Sequence, residues 1–200
     1  MSEFNTAQQK LIDYKQAKPL FWNQVYKKGG TTLYSREAIN AKTKRFINIE
    51  HVYPMSWVVN KIGCGDRDLC RRYSDLFNQI EADMHNMYPS RRDLNYERGS
   101  LAFGTVLGEK REYDDVDFEV DLRKRVIEPT QESRGNIARA MLYMADAYEL
   151  KIFNKQFKLL KAWHSQDLPS KRELLRNDLI EKVQGNRNHF IDYPDAVRQL

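Results

Sequence analysis

The stretch FINIEHVYPMSW, from Phe46 to Trp57, places a strong limit on how this chain can fold. Its apolar and β-branched residues predict a strand over RFINIEHVY. Glu50 and His51 stand side by side in that strand, although neighbouring side chains on a strand point to opposite faces. Both can serve one site only if the strand ends or bulges there, and Pro54 is consistent with such an ending. The alternative is a surface glutamate beside a half-buried histidine.

Size and composition limit the class of protein. The chain has 200 residues, 41% of them hydrophobic, which is enough for a full core. The net charge of +5 and the pI of about 9.1 permit a polyanionic partner without requiring one. The apolar runs are too short to cross a bilayer, and the first ten residues lack a signal-peptide pattern. We therefore expect either a cytosolic chain or the mature form of an exported one.

The two cysteines, Cys64 and Cys70, lie in the segment GCGDRDLC. Their spacing does not fit a CxxC zinc or redox motif. Two interpretations stay open, a local disulfide in an oxidising compartment or two free thiols.

Apolar periodicity and turn residues predict mostly helices with a few short strands. The predicted helices cover residues 6–27 with a break at Pro19, 73–81, 91–98, 135–150 and 170–183. The predicted strands cover residues 31–35, 45–53, 83–89 and 116–122. Ser90 is the expected cap of the third helix and Gly99 its stop. Residues 55–75 are predicted as a long irregular loop, and residues 111–132 as a solvated excursion.

Two helices have well-defined patterns. The segment GNIARAMLYMADAYEL, residues 135–150, predicts an amphipathic helix at the centre of the core. Its apolar stripe consists of Ile137, Ala140, Met141, Met144 and Ala147. In the last long helix, Ser170 and Glu173 form a capping box and Gly185 follows the end. The predicted apolar face of this helix consists of Leu175, Leu179 and Val183.

Common catalytic motifs are absent. The sequence contains neither GxxxxGK[ST] nor GxGxxG, which argues against nucleotide cofactors, and it lacks HExxH and GxSxG. Among the four histidines, His51 and His85 are predicted on adjacent short strands, beside a carboxylate and an amide. His164 and His189 lack such neighbours, and we expect them to be structural or on the surface.

The order strand, strand, helix is the informative arrangement, in the segments INIEHVYP, EADMHNMYP and SRRDLNYERG. A two-stranded hairpin crossed by a helix can bring the end of the first strand against the helix. Glu50 and Asn95 would then supply oxygen atoms to one hard cation. Few protein oxygens, with water and phosphate completing the shell, suit Mg²⁺.

These segments resemble the endonuclease I family of secreted and periplasmic nucleases, within the ββα-metal (His-Me finger) group. EHVYP resembles the family's EHV-x-P, EADMHNMYP its E-x-D-x-H-N-L-x-P, and LNYER its V-N-x-x-R, while GGTTLY, RGNIARAMLYM and QGNRNHFID also fit. The matching blocks run in the family's order from about Gly29 to Asp192. The resemblance implies an α+β fold, a mainly helical single domain over residues 1–200 around a ββα-metal motif at about residues 46–99.

The resemblance also implies roles for particular residues. His51 would be the general base that takes a proton from the attacking water. Glu50 and Asn95 would be the ligands of one Mg²⁺, with other divalent ions left open. A histidine with its ordinary pKa suits a base near neutral pH.

A cation and an acid complete the site that the resemblance implies. Arg67 would hold the cleaved phosphate, because the family keeps a phosphate-binding arginine at this place in the loop, with Arg71 and Arg72 as rivals. Glu81, from the E-x-D-x-H-N block, would be a supporting acid.

The sequence departs from the family around the metal-binding asparagine. RRDLNYERGS stands where the family usually has G-E-V-N-G-D-R-x-N, so that the flanking glycines are lost and Arg91, Arg92 and Tyr96 are present. His189 stands where the family commonly has proline, and relatives carry more cysteine pairs. The form of the groove wall and the substrate preference are therefore left open.

The activity that the resemblance implies is Mg²⁺-dependent, sequence-nonspecific cleavage of double- and single-stranded DNA, with RNA left open, to 5′-phosphate and 3′-hydroxyl ends. The protein would act as a monomer and would not bind a membrane. It would be a mature periplasmic or secreted chain, although a cytoplasmic location is left open. Phosphate contacts would come from Lys42, Lys44, Arg45, Arg91 and Arg92. One alternative is a noncatalytic nucleic-acid-binding module, against which the intact site residues argue. A structural or inhibitor-binding role has no specific support.

Overall fold

The computed structural model of the protein describes residues 5–108, 113 and 116–200. Helices α1 to α9 are Tyr14–Leu20, Met55–Ile62, Arg67–Tyr73, Asp75–Glu81, Arg92–Arg98, Arg134–Ala147, Asn154–Gln166, Lys171–Gln184 and His189–Asp192. Strands β1 to β7 are Gly30–Thr31, Ala38–Ile39, Ile47–His51, Met87–Arg91, Ala102–Phe103, Phe118–Asp121 and Val126–Pro129. The strands form two antiparallel pairs, β1–β2 and β3–β4, and a small sheet in the order β5-β7-β6. The predicted mainly helical α+β class is confirmed.

Strands β3 and β4 with helix α5 form the predicted strand, strand, helix unit. The two strands are antiparallel, and Glu50 lies opposite Tyr88 while His51 lies opposite Met87. Strand β3 ends at His51. Just beyond it, the side chain of Asn86 accepts a hydrogen bond from the backbone N–H of Tyr53. The strand therefore ends at the glutamate–histidine pair, as the sequence required for both residues to serve one site.

The prediction of an irregular loop over residues 55–75 is wrong, because α2 and α3 lie there. Polar caps fix these short helices. The side chain of Asp66 accepts hydrogen bonds from the backbone N–H groups of the first turn of α3, and Gly63, at φ +75°, ends α2. Cys64 and Cys70 form a disulfide with their Cα atoms 5.1 Å apart. This bridge resolves the choice between a disulfide and free thiols.

Four further local predictions differ from the structure. Helix α1 continues through Pro19 into a π-helical turn at Phe21–Val25. Pro19 has no N–H to donate to the carbonyl of Lys15, so the helix loses one hydrogen bond there. Because Lys15 is exposed, water can bind that carbonyl instead, and the helix continues. The strand predicted over residues 31–35 stops after Thr31, because the segment turns there and inserts its next side chains into the core.

The other two differences flank strand β4. Ser90 does not cap α5; it lies in β4, and α5 begins without a side-chain cap. His85 lies in a 3₁₀ turn, Met84–Asn86, rather than in the strand that follows it. Gly99 ends α5 at φ +49° as expected.

Helix α6 lies at the centre of the core, as predicted. Its residues from Ile137 to Met144 are all buried, because α7, α9 and the turn before β4 pack around it. A second apolar cluster joins α1 and its π-helical turn to α8. The strand predicted at residues 116–122 is present as β6, and β7 follows it. The prediction of a solvated excursion over residues 111–132 is wrong, because Phe118 and Ile127 of these strands are buried in the core. Residues 111, 112, 114 and 115 lie outside the described residues.

Helix α8 keeps its predicted ends but not its predicted face. Ser170 caps it by accepting from the N–H of Glu173, and Gly185 ends it at φ +86°. Leu175 is 57% exposed, however. The buried face consists of Glu173, Arg176, Asn177, Ile180, Val183 and Gln184. Polar side chains occupy it because each finds a partner, and Glu173 pairs with the buried Arg139 at 2.6 Å instead of closing the capping box.

No helix in the described ranges is both long enough and apolar enough to span a bilayer.

Candidate active site

The end of β3 and helices α2, α3 and α5 border a cavity of about 650 Å³. It is lined by Glu50 and His51 from β3, Arg67 and Arg71 from α3, and Asn95 from α5. The structure therefore brings together the predicted base, the predicted pair of metal ligands and the predicted phosphate-binding arginine.

Glu50 is held by two residues that the sequence analysis did not assign to the site. Its carboxylate is 3% exposed and accepts at Oε1 from the hydroxyl of Tyr34 at 2.7 Å and from Nη1 of Arg98 at 3.0 Å. Arg98 also donates to the carbonyls of His51 and Val52. Helix α5 is thereby fixed to the end of β3. Both residues stand in segments that resemble the family, GGTTLY and LNYER, which is the signal that could have found them.

The environment of Glu50 acts on its pKa in two directions. Burial raises the pKa, while the charge of Arg98 and the hydrogen bond from Tyr34 lower it, and the net value lies above the ordinary one. A cation bound beside this carboxylate would stabilise its ionised form and lower the pKa of Glu50.

Asn95 is fixed against the same strand. Its Nδ2 donates to Oδ1 of Asn48 at 2.9 Å and to the carbonyl of Ile49 at 3.2 Å. Asn95 and Arg98 are three residues apart on α5 and so share one helix face. Arg98 contacts Glu50, and Glu50 and Asn95 both line the cavity. The Oδ1 of Asn95 accepts no hydrogen bond from the described part of the chain.

These two oxygens fit a hard divalent cation. A carboxylate and an amide oxygen, at a cavity wide enough for several water molecules, are donors of the type that Mg²⁺ takes with few protein ligands. The described residues contain no cluster of three or more His, Cys, Asp or Glu side chains that could hold a metal. A site here would therefore depend on water or phosphate for most of its ligands.

His51 is buried, with 8% of its surface exposed, and its ring packs against Tyr14. Its Nε2 lies 3.0 Å from the carbonyl of Glu81, which can only accept, so Nε2 carries the proton. In the neutral ring Nδ1 then holds the lone pair. Burial first, and the charge of Arg67 second, lower the pKa of His51 to about 4. The expectation of an ordinary pKa for His51 is therefore wrong, and the imidazole is neutral at pH 7.

Arg67 and Arg71 both bind Glu81, whose side chain is fully buried. Arg67 uses only Nε, at 2.6 Å. Arg71 donates to Glu81 through Nε and Nη2, and its Nη1 pairs with Asp68. Burial raises the pKa of Glu81, but the hydrogen bonds and charges of the two arginines outweigh it and leave the pKa below its ordinary value. Glu81 thus faces the arginines and is not part of the cavity wall.

The remaining predicted candidates lie elsewhere. Arg72 does not line the cavity. His85 donates through Nε2 to the carbonyl of Asn186 and packs on Tyr143, so it supports the core rather than the site. The interpretation of His51 and His85 as a pair on adjacent strands is therefore wrong. His164 is buried, with Nε2 bound to a carbonyl, as expected for a structural histidine.

Comparison with known proteins gives the family of this chain. The family model described as Endonuclease I matches residues 3–195. An extracellular deoxyribonuclease of Aeromonas hydrophila is 37% identical over 150 residues, which are 73% of this chain and 65% of that protein. A periplasmic deoxyribonuclease of the same organism is 35% identical over 73% of this chain and 63% of its own length. An extracellular ribonuclease of Bacillus subtilis (strain 168) is 30% identical over 59% of this chain and 46% of its own length. The chain spans less than two thirds of the length of each of these relatives. Because the family model matches nearly all of its residues, the chain belongs to the endonuclease I family.

Proposed function

We propose that this chain is a Mg²⁺-dependent endonuclease that hydrolyses phosphodiester bonds of DNA without sequence preference. One observation carries the proposal: the base, the pair of oxygen ligands and the arginine predicted from the sequence all line one cavity of about 650 Å³. The similarity to two proteins named as deoxyribonucleases supports DNA as the substrate.

Glu50 and Asn95 would hold the cation. Tyr34 and Arg98 fix one carboxylate oxygen of Glu50 and thereby orient the second carboxylate oxygen. The amide nitrogen of Asn95 donates both of its hydrogen bonds to strand β3, which turns the amide oxygen away from that strand. When bound, Mg²⁺ would stabilise the negative charge that develops at the phosphate and at the leaving oxygen.

His51 would act as the general base. With Nε2–H donated to the carbonyl of Glu81, Nδ1 is the atom that can accept a proton from water. The water then attacks phosphorus, the bond to the 3′-oxygen breaks, and that oxygen takes a proton from solvent, which leaves a 5′-phosphate and a 3′-hydroxyl end. The main-chain hydrogen bond fixes the ring orientation, so the base needs no reorganisation during the reaction.

Arg67 is better suited than its neighbours to hold the phosphate. Glu81 occupies only its Nε, so both terminal nitrogens remain for a bidentate contact with phosphate oxygens. Arg71 is occupied by two carboxylates. Glu81 would act by positioning Arg67, without touching the substrate.

The decisive experiment follows the cleavage of supercoiled plasmid with Mg²⁺, with EDTA, and by the His51→Ala variant. We expect cleavage only in the first reaction, and a rate loss of roughly 10²- to 10⁴-fold for His51→Ala. His189→Ala, a partly buried histidine outside the cavity, serves as the matched control and should cleave at the wild-type rate. Plasmid that stays supercoiled with wild type and Mg²⁺, although it is bound, would instead support the noncatalytic nucleic-acid-binding module.

RNA is a second proposed substrate, favoured by the similarity to a protein named as an extracellular ribonuclease. Contacts with backbone phosphates, supplied by exposed cations such as Lys42, Lys44 and Arg45, do not distinguish bases. We expect His51→Ala to abolish cleavage of both nucleic acids. RNA cleavage that survives in this variant would come from a contaminant or another site.

The protein is proposed to act as a monomer outside the cytoplasm. The disulfide between Cys64 and Cys70 supports an oxidising compartment, and the Aeromonas relatives are named as extracellular and periplasmic. Light scattering would test the monomer, and fractionation of the source cells would test the location.

A further inference from the structure

A second cavity, of about 320 Å³, lies between the π-helical turn after α1, the segment around β1, and the first half of α8. It shares no lining residue with the candidate active site. Its volume is within the range of about 300 to 1,000 Å³ that small-molecule sites occupy.

Arg176 in the wall of this cavity has an unused donor. The side chain is 7% exposed and its guanidinium lies 3.9 Å from the ring centre of Tyr88. Nε donates to the hydroxyl of Tyr26 at 3.0 Å, and Nη2 donates to the carbonyls of Met84 and Met87 at 2.6 Å. Nη1 is buried and has no hydrogen-bond partner in the described part of the chain. Arg176 therefore brings a buried positive charge, not fully hydrogen-bonded, to the wall of the cavity.

The surroundings of Arg176 favour an anion. The cavity includes Ser170 and Glu173 at the start of the 14-residue helix α8, where the helix dipole is positive. The charge of Glu173 does not oppose an anion, because Arg139 binds both of its oxygens at 2.6 Å. The exposed cations that line the cavity are Lys27, Lys28, Arg36 and Arg172. The local charge is therefore positive, which favours a dianion over a monoanion.

The rest of the wall is apolar or aromatic. Val25 and Leu33 are buried, Leu179 is partly buried, and the ring of Tyr26 lies beside them. Inorganic phosphate alone would leave this wall uncovered, since it is much smaller than the cavity.

We propose that this cavity binds a phosphate monoester carried on a compact ring system, the chemistry of a nucleoside monophosphate. The phosphate faces the buried positive charge of Arg176 and the cations of the rim, while the ring system covers the apolar wall. This site is independent of the proposed nuclease site and does not require its activity.

Isothermal titration of the full chain in EDTA with 5′-AMP, inorganic phosphate and adenosine tests the proposal. We expect 5′-AMP to bind, with phosphate and adenosine each weaker by at least about tenfold, because each lacks one half of the contacts. The double variant Lys27→Glu, Arg172→Glu changes only exposed side chains and should weaken 5′-AMP by at least about tenfold. Arg67→Ala, which alters the other cavity, should leave this affinity unchanged.

Several results would overturn the proposal. The first is that 5′-AMP does not bind to the wild type at millimolar concentration. The second is that adenosine or phosphate binds as tightly as 5′-AMP. The third is that Arg67→Ala loses 5′-AMP binding while the double variant keeps it. The last result would assign the nucleotide to the nuclease site. Plasmid cleavage by the double variant is measured in parallel, so that a failure of this proposal is distinguished from a failure of the proposed nuclease function.

Discussion

At the residue scale, the buried pair of Glu50 and Arg98 determines how the candidate site is assembled. Arg98 is 1% exposed and connects the carboxylate of Glu50 with two carbonyls at the end of β3. A buried ion pair is weak evidence for net stability, because desolvation offsets the attraction. Removal of one partner is nevertheless costly, since the other charge is left buried alone. We infer that the pair is retained because it orients Glu50.

Arg98→Met should therefore destabilise the protein by about 3 to 5 kcal/mol in urea unfolding, because Glu50 loses its counterion and two carbonyls lose a donor. Arg92→Met on the same helix is the control. Arg92 is exposed, and its replacement should change the free energy of unfolding by less than about 0.5 kcal/mol. Equal stability of the two variants would show that the buried pair does not support the fold.

Asn95→Ala should act on metal binding rather than on the base. We expect the Mg²⁺ concentration for half-maximal plasmid cleavage to rise by at least about tenfold, with activity partly recovered at high Mg²⁺. Asn60→Ala is the matched control, because Asn60 lines the same cavity and is exposed. If excess Mg²⁺ restores no activity at any concentration, Asn95 does not act as a metal ligand.

At the element scale, helix α3 presents two of its three arginines to the cavity. Arg67 and Arg71 are four residues apart, so they lie on one face, and Glu81 at the end of α4 binds both. The helix has only seven residues, too few to be stable alone. Its position depends on the Asp66 cap and on the disulfide, whose second cysteine, Cys70, is buried in the core.

The double variant Cys64→Ala, Cys70→Ala should lose about 2 kcal/mol of stability, because the cross-link no longer restricts the unfolded chain. The loosened loop should also lower the plasmid cleavage rate, since Arg67 lies between the two cysteines. Thermal unfolding and cleavage are measured on the same preparations. Reduction of the wild type under native conditions should reproduce both effects, and an unchanged cleavage rate in both samples would separate Arg67 placement from the disulfide.

At the scale of the whole molecule, a buried polar network connects distant segments of the chain. Asp83 accepts from the hydroxyls of Tyr143 and Tyr148 at 2.7 Å and from the amide of Gln184 at 2.9 Å. His85, two residues further on, is bound to the carbonyl of Asn186. The turn before β4 is thereby tied to α6 and to the end of α8.

His85 should make the fold sensitive to acid. Burial lowers its pKa from 6.5 to about 4, so the unfolded chain binds a proton in this interval and the native protein does not. The stability that the neutral His85 ring contributes is fully present above pH 6.5 and is lost as the pH falls toward 4. The loss in the free energy of unfolding amounts to about 2 kcal/mol by pH 5. His85→Gln can keep the bond to Asn186, and its urea unfolding should lose less stability than wild type between pH 8 and pH 5. Parallel curves for the two proteins would contradict this assignment.

Much of this architecture could be predicted because it depends on local patterns. The strand that ends at His51, the central helix α6 and both ends of α8 have alternation, periodicity or caps that neighbouring residues specify. Helices α2 and α3 were missed because glycines and short apolar runs obscure the periodicity of seven- and eight-residue helices. The buried face of α8 was missed because hydrophobic patterning does not recognise a polar residue such as Arg176 whose partners are distant in sequence.

The sequence by itself determined the order strand, strand, helix, because local residue patterns specify each element, and its resemblance to the family indicated the residues of the candidate site. Only the tertiary structure decided that Arg98 and Tyr34 hold Glu50, that Glu81 faces the arginines, and that Arg176 brings a buried charge to the wall of a second cavity. The physical reason is that burial and hydrogen-bond partners are properties of contacts between segments, which depend on how the chain packs.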